Sequence, residues 1–222
     1  LGTDVTGGTA RGNDFGIEVL GSYNRFTVNT ISGNVAAGVN LIHIPDEGNA
    51  CHHNNFYRNQ IGTDPAGEFA IPNTETGIWV EGSWNHIGGT VPGDGNIISG
   101  NQGNGISLIN SENKVVGNLI GLDATGTYAI GNGNAGIMIN GPGNLVGGTS
   151  PETRNVISGN LEGVTFDGED AQENVILGNY IGTDITGTTA LGNGVGILLL
   201  SSNNFIGGGE SGATNLISGN AN

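Results

Sequence analysis

Four nearly identical tetrapeptides divide the chain into equal lengths and leave few folds open to it. They are Leu1-Gly-Thr-Asp4, Ile61-Gly-Thr-Asp64, Ile120-Gly-Leu-Asp123 and Ile181-Gly-Thr-Asp184, and successive copies lie 60, 59 and 61 residues apart. A second signature, Ile-Ser-Gly-Asn, starts at Ile31, Ile98, Ile157 and Ile217. A third, Gly followed by Ile or Val, falls at Gly16, Gly38, Gly77, Gly105, Gly136, Gly163 and Gly196, about half the period. Fixed periods of this length mean stacked repeats, each unable to bury its apolar face alone. The 60-residue unit reads as two coils.

Within each coil the pattern is that of short strands. Ile137-Met-Ile139, Val164-Thr-Phe166 and Ile197-Leu-Leu199 alternate apolar and variable residues. Period-two alternation marks a strand with one buried face. Two Asn-x-Ile/Val segments follow, as at Asn113 and Asn118 or Asn174 and Asn179. No segment has a helical period. The expectation is an all-β, right-handed parallel β-helix, a β-solenoid of about seven coils with three short strands each. It occupies 1–222 as a single domain, expected to be part of a longer repeat protein. Glycine, 44 of 222 residues, and asparagine suit its corners because both tolerate positive φ. Asparagine recurring at one corner predicts a ladder of stacked amides. Loops leave two edges, after the third strand in even coils and between the second and third strands in odd ones. An insertion, Pro45 to His53, interrupts the second coil.

The pattern Gly-Ile…Ser-x-Asn-x-Ile…Gly-Asn-x-Ile-Gly-Thr-Asp…Thr-Gly resembles that of bacterial parallel β-helix repeat proteins of the pectate-lyase-like superfamily. The resemblance covers nearly the whole chain. It implies the solenoid fold and leaves activity open, since that superfamily includes lyases, glycoside hydrolases, epimerases, tailspikes and adhesins. The Asn-Thr-Asp, Asp-Asp, Gly-His-Gly and Arg-x-Lys motifs of its glycoside hydrolases do not occur here.

Charge narrows the partners. Twenty acidic residues against five basic ones give a formal charge of −15. Scattered cations cannot neutralise a phosphate backbone, so no nucleic acid is expected. An anionic membrane surface is excluded on the same ground, and no stretch is long and apolar enough to insert. Cys51 is the sole cysteine and cannot form an intrachain disulfide.

Candidate chemistry is sparse. Glu81 and Asp167 share an outward row of the first strand but sit three coils apart, about 14 Å at the usual strand spacing. Glycosidase carboxylates stand roughly 5–9.5 Å apart. Trp79 and Trp84 could stack on sugar rings, or each could be covered by a neighbouring loop. The insertion gathers His43, Asp46, Glu47, Cys51, His52 and His53; Cys51 and His53 share a face if the chain is extended there. Such a set could hold zinc or copper, or could simply cover a coil edge. Asp64, Asp123 and Asp184, with Asp4, recur every second coil, about 9.6 Å apart. They could contribute to calcium sites or cap their own turns. No other cofactor is expected.

Outward apolar residues gather in the C-terminal half. Leu145, Val175 and Phe205 lie on the second strand, and Leu119, Val156, Tyr180 and Leu216 on the third, forming a lateral stripe suited to self-association. Both ends lack a polar cap, which predicts end-to-end association as well. The reading that follows is a non-catalytic structural or surface-interaction module of an extracellular or cell-surface protein, with polysaccharide as a possible ligand. The alternative is a fragment of a polysaccharide-acting lyase or glycoside hydrolase.

Overall fold

The computed structural model describes residues 1–43 and 51–221. Among them are three parallel sheets of seven strands each. The first sheet runs from Ile17–Val19 through Val39–Leu41, Ile78–Val80, Ile106–Leu108, Ala135–Ile139 and Glu162–Phe166 to Val195–Leu199. The second runs from Arg25–Thr27 to Phe205–Ile206, the third from Thr30–Ile31 to Leu216–Ile217. Each strand pairs in parallel with the strand one coil before and one coil after it. This is the expected right-handed β-helix of seven coils.

The core is one continuous column. Ile31, Ile61, Ile98, Ile120, Ile157 and Ile181 stack along the third sheet, with Ile61 through Ile181 fully buried. Phe56, Ile87, Val115, Val146 and Ile176 do the same along the second, where the Phe26 and Phe56 rings stack 4.6 Å apart. Burying each such side chain contributes about 1.5–3 kcal/mol. No coil has enough of them to stand alone, so stability depends on stacking.

The corners hold more than one asparagine ladder. Asn24, Asn54, Asn85, Asn113, Asn144, Asn174 and Asn204 form one between the first and second sheets. Asn29, Asn59, Asn96, Asn118, Asn155, Asn179 and Asn215 form another between the second and third. A third, from Asn34 through Asn73, Asn101, Asn132, Asn160 and Asn193 to Asn220, closes the coil. In each, the Oδ1 of one asparagine accepts an amide proton from its counterpart in the preceding coil, and with few exceptions that residue's backbone N–H as well. Buried polar groups at a turn require such partners.

At the first corner the residue before each ladder asparagine adopts the left-handed conformation, and only at Gly143 is it glycine. Tyr23, His53, Trp84, Glu112 and Glu173 do so at the first corner, with φ from 54° to 62°. Side chains there cost roughly 1–3 kcal/mol each in backbone strain. The backbone bonds of the next coil hold them, as Tyr23 N–H donates to the His52 carbonyl at 3.0 Å. The half-period glycines answer a different demand. A Cβ on Gly105 would sit 2.6 Å from the Gly136 carbonyl oxygen of the next coil.

Candidate functional site

Strand register sets the outward row of the first sheet as Glu18, Asn40, Trp79, Ser107, Met138, Thr165 and Leu198. Outward does not mean exposed in this row. Ser107 is fully buried, and Asn40 and Thr165 are nearly so. Residues at the strand entrances fold over the row: Asn104 donates its amide to the Ser107 hydroxyl at 3.1 Å, and Glu162 accepts from the Thr165 hydroxyl at 3.3 Å.

Beside the Asn104 cover, toward the first coil, lies a groove of about 610 Å³. Its lining runs from Phe15 in the first coil to Asn134 in the fifth. At the usual strand spacing that is about 19 Å along the axis. Trp79 and Glu81 lie in its floor with Asn40, and Gln102, Asn104 and Glu75 border it. The Trp79 indole N–H donates to Glu81 Oε1 at 3.2 Å, and the His43 backbone N–H donates to Glu81 Oε2 at 3.3 Å. The Asn110 amide binds the Glu81 carbonyl. These bonds fix both the indole plane and the carboxylate. The groove thus offers a half-buried aromatic body, one oriented carboxylate and a border of neutral amides.

A second carboxylate lines the groove, Glu75, but at the opposite end of the strand that carries Glu81. Six residues of mostly extended chain separate them by roughly 15–20 Å. Asp167 occupies the same row as Glu81, beyond Ile109 and Asn140, and is exposed at the far side of two intervening coils. Neither carboxylate comes within the roughly 5–9.5 Å of a glycosidase pair.

Trp84 is separate from Trp79. It stands at the first corner, 53% exposed, stacked on His53 with centroids 6.0 Å apart; His53 in turn stacks on Tyr23 at 5.1 Å. Beyond Trp84 lies a hollow of about 220 Å³ lined by His53, His86, Glu112 and Lys114 among others. Burial, reinforced by the Lys114 charge, lowers the His86 pKa, and its buried Nε2 has no partner.

The insertion separates the residues that an extended chain would bring together. Cys51 is buried in the core, where burial pushes its thiol up to about 11, whereas His53 turns outward at φ 55°. The left-handed turn, absent from an extended reading, puts them on opposite faces. His52 and His53 face each other, Nδ1 to Nδ1, at 2.9 Å. Asp46 and Glu47 lie outside the described residues. Among those described, no group of three or more His, Cys, Asp or Glu converges as metal ligands would.

The repeated aspartates sit inside their own loops. Asp64 Oδ1 accepts from the Glu68 and Phe69 N–H groups at 2.7 and 2.9 Å. Asp123 Oδ1 accepts from Thr127 and Tyr128, both at 2.9 Å, and Asp184 Oδ1 from Thr188 and Thr189 at 3.0 and 3.1 Å. The Asp184 pKa is lowered, first by the Thr189 N–H. At Asp123 partial burial pushes the pKa up, but the Thr125 hydroxyl and the backbone donors outweigh it and leave it lowered. Oxygens already engaged in this way act as turn caps.

The loops that these aspartates cap flank the outer face of the third sheet. Val156 is 3% exposed, and Tyr180 is half-buried with the Arg154 guanidinium 4.1 Å from its ring. Between the two sets of loops remains a trough of about 490 Å³ over Ile97, Leu119 and Val156. Phe205, on the second sheet, stays 61% exposed.

Glu75, Gln102 and Asn104 were not among the residues singled out from the sequence. They occupy corners, where no alternation reveals the direction of a side chain. Asn40 is readable from the sequence, since alternation places it in the outward row beside Trp79, and the register bears that out. No family model matches the chain, and neither a curated protein nor a solved structure matches it.

Proposed function

We propose that this chain is a non-catalytic solenoid module of an extracellular or cell-surface protein, distantly related to the pectate-lyase-like superfamily, and that it binds a polysaccharide along the first-sheet groove. The observation that carries the proposal is the Trp79–Glu81 pair. The hydrogen bond between them holds an indole in the floor of a groove several sugar residues long. Sugar rings pack on such an apolar body, while carboxylate and amides take their hydroxyls. The wide spacing of Glu81 from Glu75 and Asp167 favours binding over hydrolysis.

The test is titration against a panel of neutral and acidic oligosaccharides by calorimetry and tryptophan fluorescence. Trp79→Ala should weaken binding about ten- to thirtyfold, the loss expected of a central aromatic anchor. No glycan should be cut. Failure of every glycan to bind overturns the groove assignment. Release of reducing or unsaturated ends, abolished by Glu81→Gln, overturns the non-catalytic part and favours the enzyme reading.

A further inference from the structure

The groove that holds Trp79 carries charge of one sign only. Glu75 and Glu81 line it, and none of the five Lys and Arg residues does. The imbalance extends over the whole outer face of the first sheet. Glu18, Glu162 and Asp167 stand on or beside its strands, and no strand of that sheet contains a Lys or an Arg. Arg58–Asp94 is the sole salt bridge among the described residues, so Glu81 has no ionic partner there.

Two groups in the groove floor have bonding capacity to spare. A carboxylate oxygen offers about two acceptor sites. Glu81 Oε1 has one filled by the Trp79 indole N–H, and Oε2 one by the His43 backbone N–H. A site remains on each oxygen, beside the indole face. The second group is Asn40, one coil before Trp79 in the same row. It is 9% exposed, yet no described residue bonds its side-chain amide. Amides this deeply buried ordinarily have a partner. Asn40 and Glu81 stand one coil and two residues apart, roughly 8 Å between Cα atoms, which one sugar ring with its substituents spans.

We propose that the polysaccharide of this groove is an amino-sugar polymer with free, protonated amines, such as a de-N-acetylated glucosamine chain. The proposal rests on the groove being a glycan site and adds what that glycan must carry. A neutral sugar laid over Glu81 takes water from a carboxylate and supplies no counter-charge, which costs free energy. A uronate sets a second carboxylate against the first and costs more. An ammonium at the ring edge instead donates to the open sites of Glu81, a charge-assisted bond, while its charge lies near the indole. The ring packs on Trp79, and its hydroxyls meet the Asn40 amide. A polymer repeats the amine on every residue, so further amines pass Glu75 and Glu18. The formal charge of −15 draws such a polycation toward the surface.

Calorimetry near neutral pH with four matched tetramers tests it: glucosamine, N-acetylglucosamine, glucose and galacturonate. The glucosamine tetramer should bind about ten- to a hundredfold more tightly than the acetylated or neutral ones, the worth of hydrogen bonds to a charged group. The uronate should bind weakest, and added salt should narrow the differences. Glu81→Gln, which keeps the volume and the acceptor for the indole N–H, should remove that preference while holding the glucose tetramer within about threefold of wild type. Glu68→Gln, exposed and outside the groove, controls for general attraction to an acidic surface. Circular dichroism checks that both variants are folded. Equal binding of the amine and neutral tetramers overturns this proposal and leaves the groove reading standing, whereas no binding by any tetramer overturns both. Tightest binding of the uronate overturns the proposal, as does an equal loss of the preference in Glu68→Gln.

Discussion

Replacing Asn118 with leucine should cost this fold more than its size suggests. Asn118 sits at the middle of the ladder between the second and third sheets, 1% exposed. Its Oδ1 accepts the Asn96 backbone N–H at 3.0 Å and the Asn96 amide at 2.9 Å. Its own amide reaches the Ile87 carbonyl at 2.9 Å and Asn155 Oδ1 at 3.0 Å. Leucine has a similar volume but no polar atom. It leaves two Asn96 donors buried and unpaired, each costing about 1–3 kcal/mol, for a total of about 2–6 kcal/mol. In a chain of this length each kcal/mol moves the melting temperature by roughly 2–4 °C. A fall of roughly 5–20 °C is therefore expected by circular dichroism. Hydrogen exchange should single out the Asn96 N–H as the amide that loses most protection. Glu68→Gln, exposed and outside the ladders, is the control and should stay within about 0.5 kcal/mol of wild type. If Asn118→Leu melts with that control, the ladders are geometric consequences of the fold and contribute little to its stability.

The loop aspartates should shape the acid limb of stability. Asp4, Asp123 and Asp184 have lowered pKa values, so their contribution is present above the ordinary carboxylate range, near pH 4, and lost as pH falls through the lower folded-state values. Changing all three to Asn, which can still accept from the loop N–H groups, should flatten the fall of urea midpoints below about pH 4; an unchanged slope would remove these caps as its cause. Cys51, buried and with its thiol raised to about 11, should be inert to Ellman's reagent at mildly alkaline pH and react at once in denaturant. Rapid reaction of the native chain would mean that the core at the second coil opens readily.

Much of this architecture was legible because a solenoid repeats its demands. The Ile-Gly-Thr-Asp spacing yields the pair of coils, and the alternation in Ile137-Met-Ile139 yields the buried face. Three asparagine ladders stand where one was expected. The third uses the asparagine of Ile-Ser-Gly-Asn34 and Gly-Asn101, which reads as turn composition until the coils are stacked. The groove was less legible. Trp79 and Glu81 stand out as an aromatic beside an acid, but the burial of Ser107 depends on Asn104 folding over it, a corner geometry that alternation does not encode. The separation of Cys51 from His53 depends on one left-handed residue, and the sequence offers a histidine there, not a glycine.

The loops that follow the third strand touch one another across two coils. Ala124 N–H donates to the Gly67 carbonyl at 2.8 Å, and Ile185 N–H to the Gly126 carbonyl at 2.9 Å. The asparagine ladders, by contrast, advance one coil at a time. The two periodicities set the smallest length of chain that can be copied or excised without penalty. Removing one coil would let every ladder close again, yet it would bring a looped coil against another looped coil and leave the loop contacts out of phase. Removing two, about sixty residues, restores both. Such a gene can grow or shrink only in pairs of coils, which is the step in which the Ile-Gly-Thr-Asp signature recurs along the sequence.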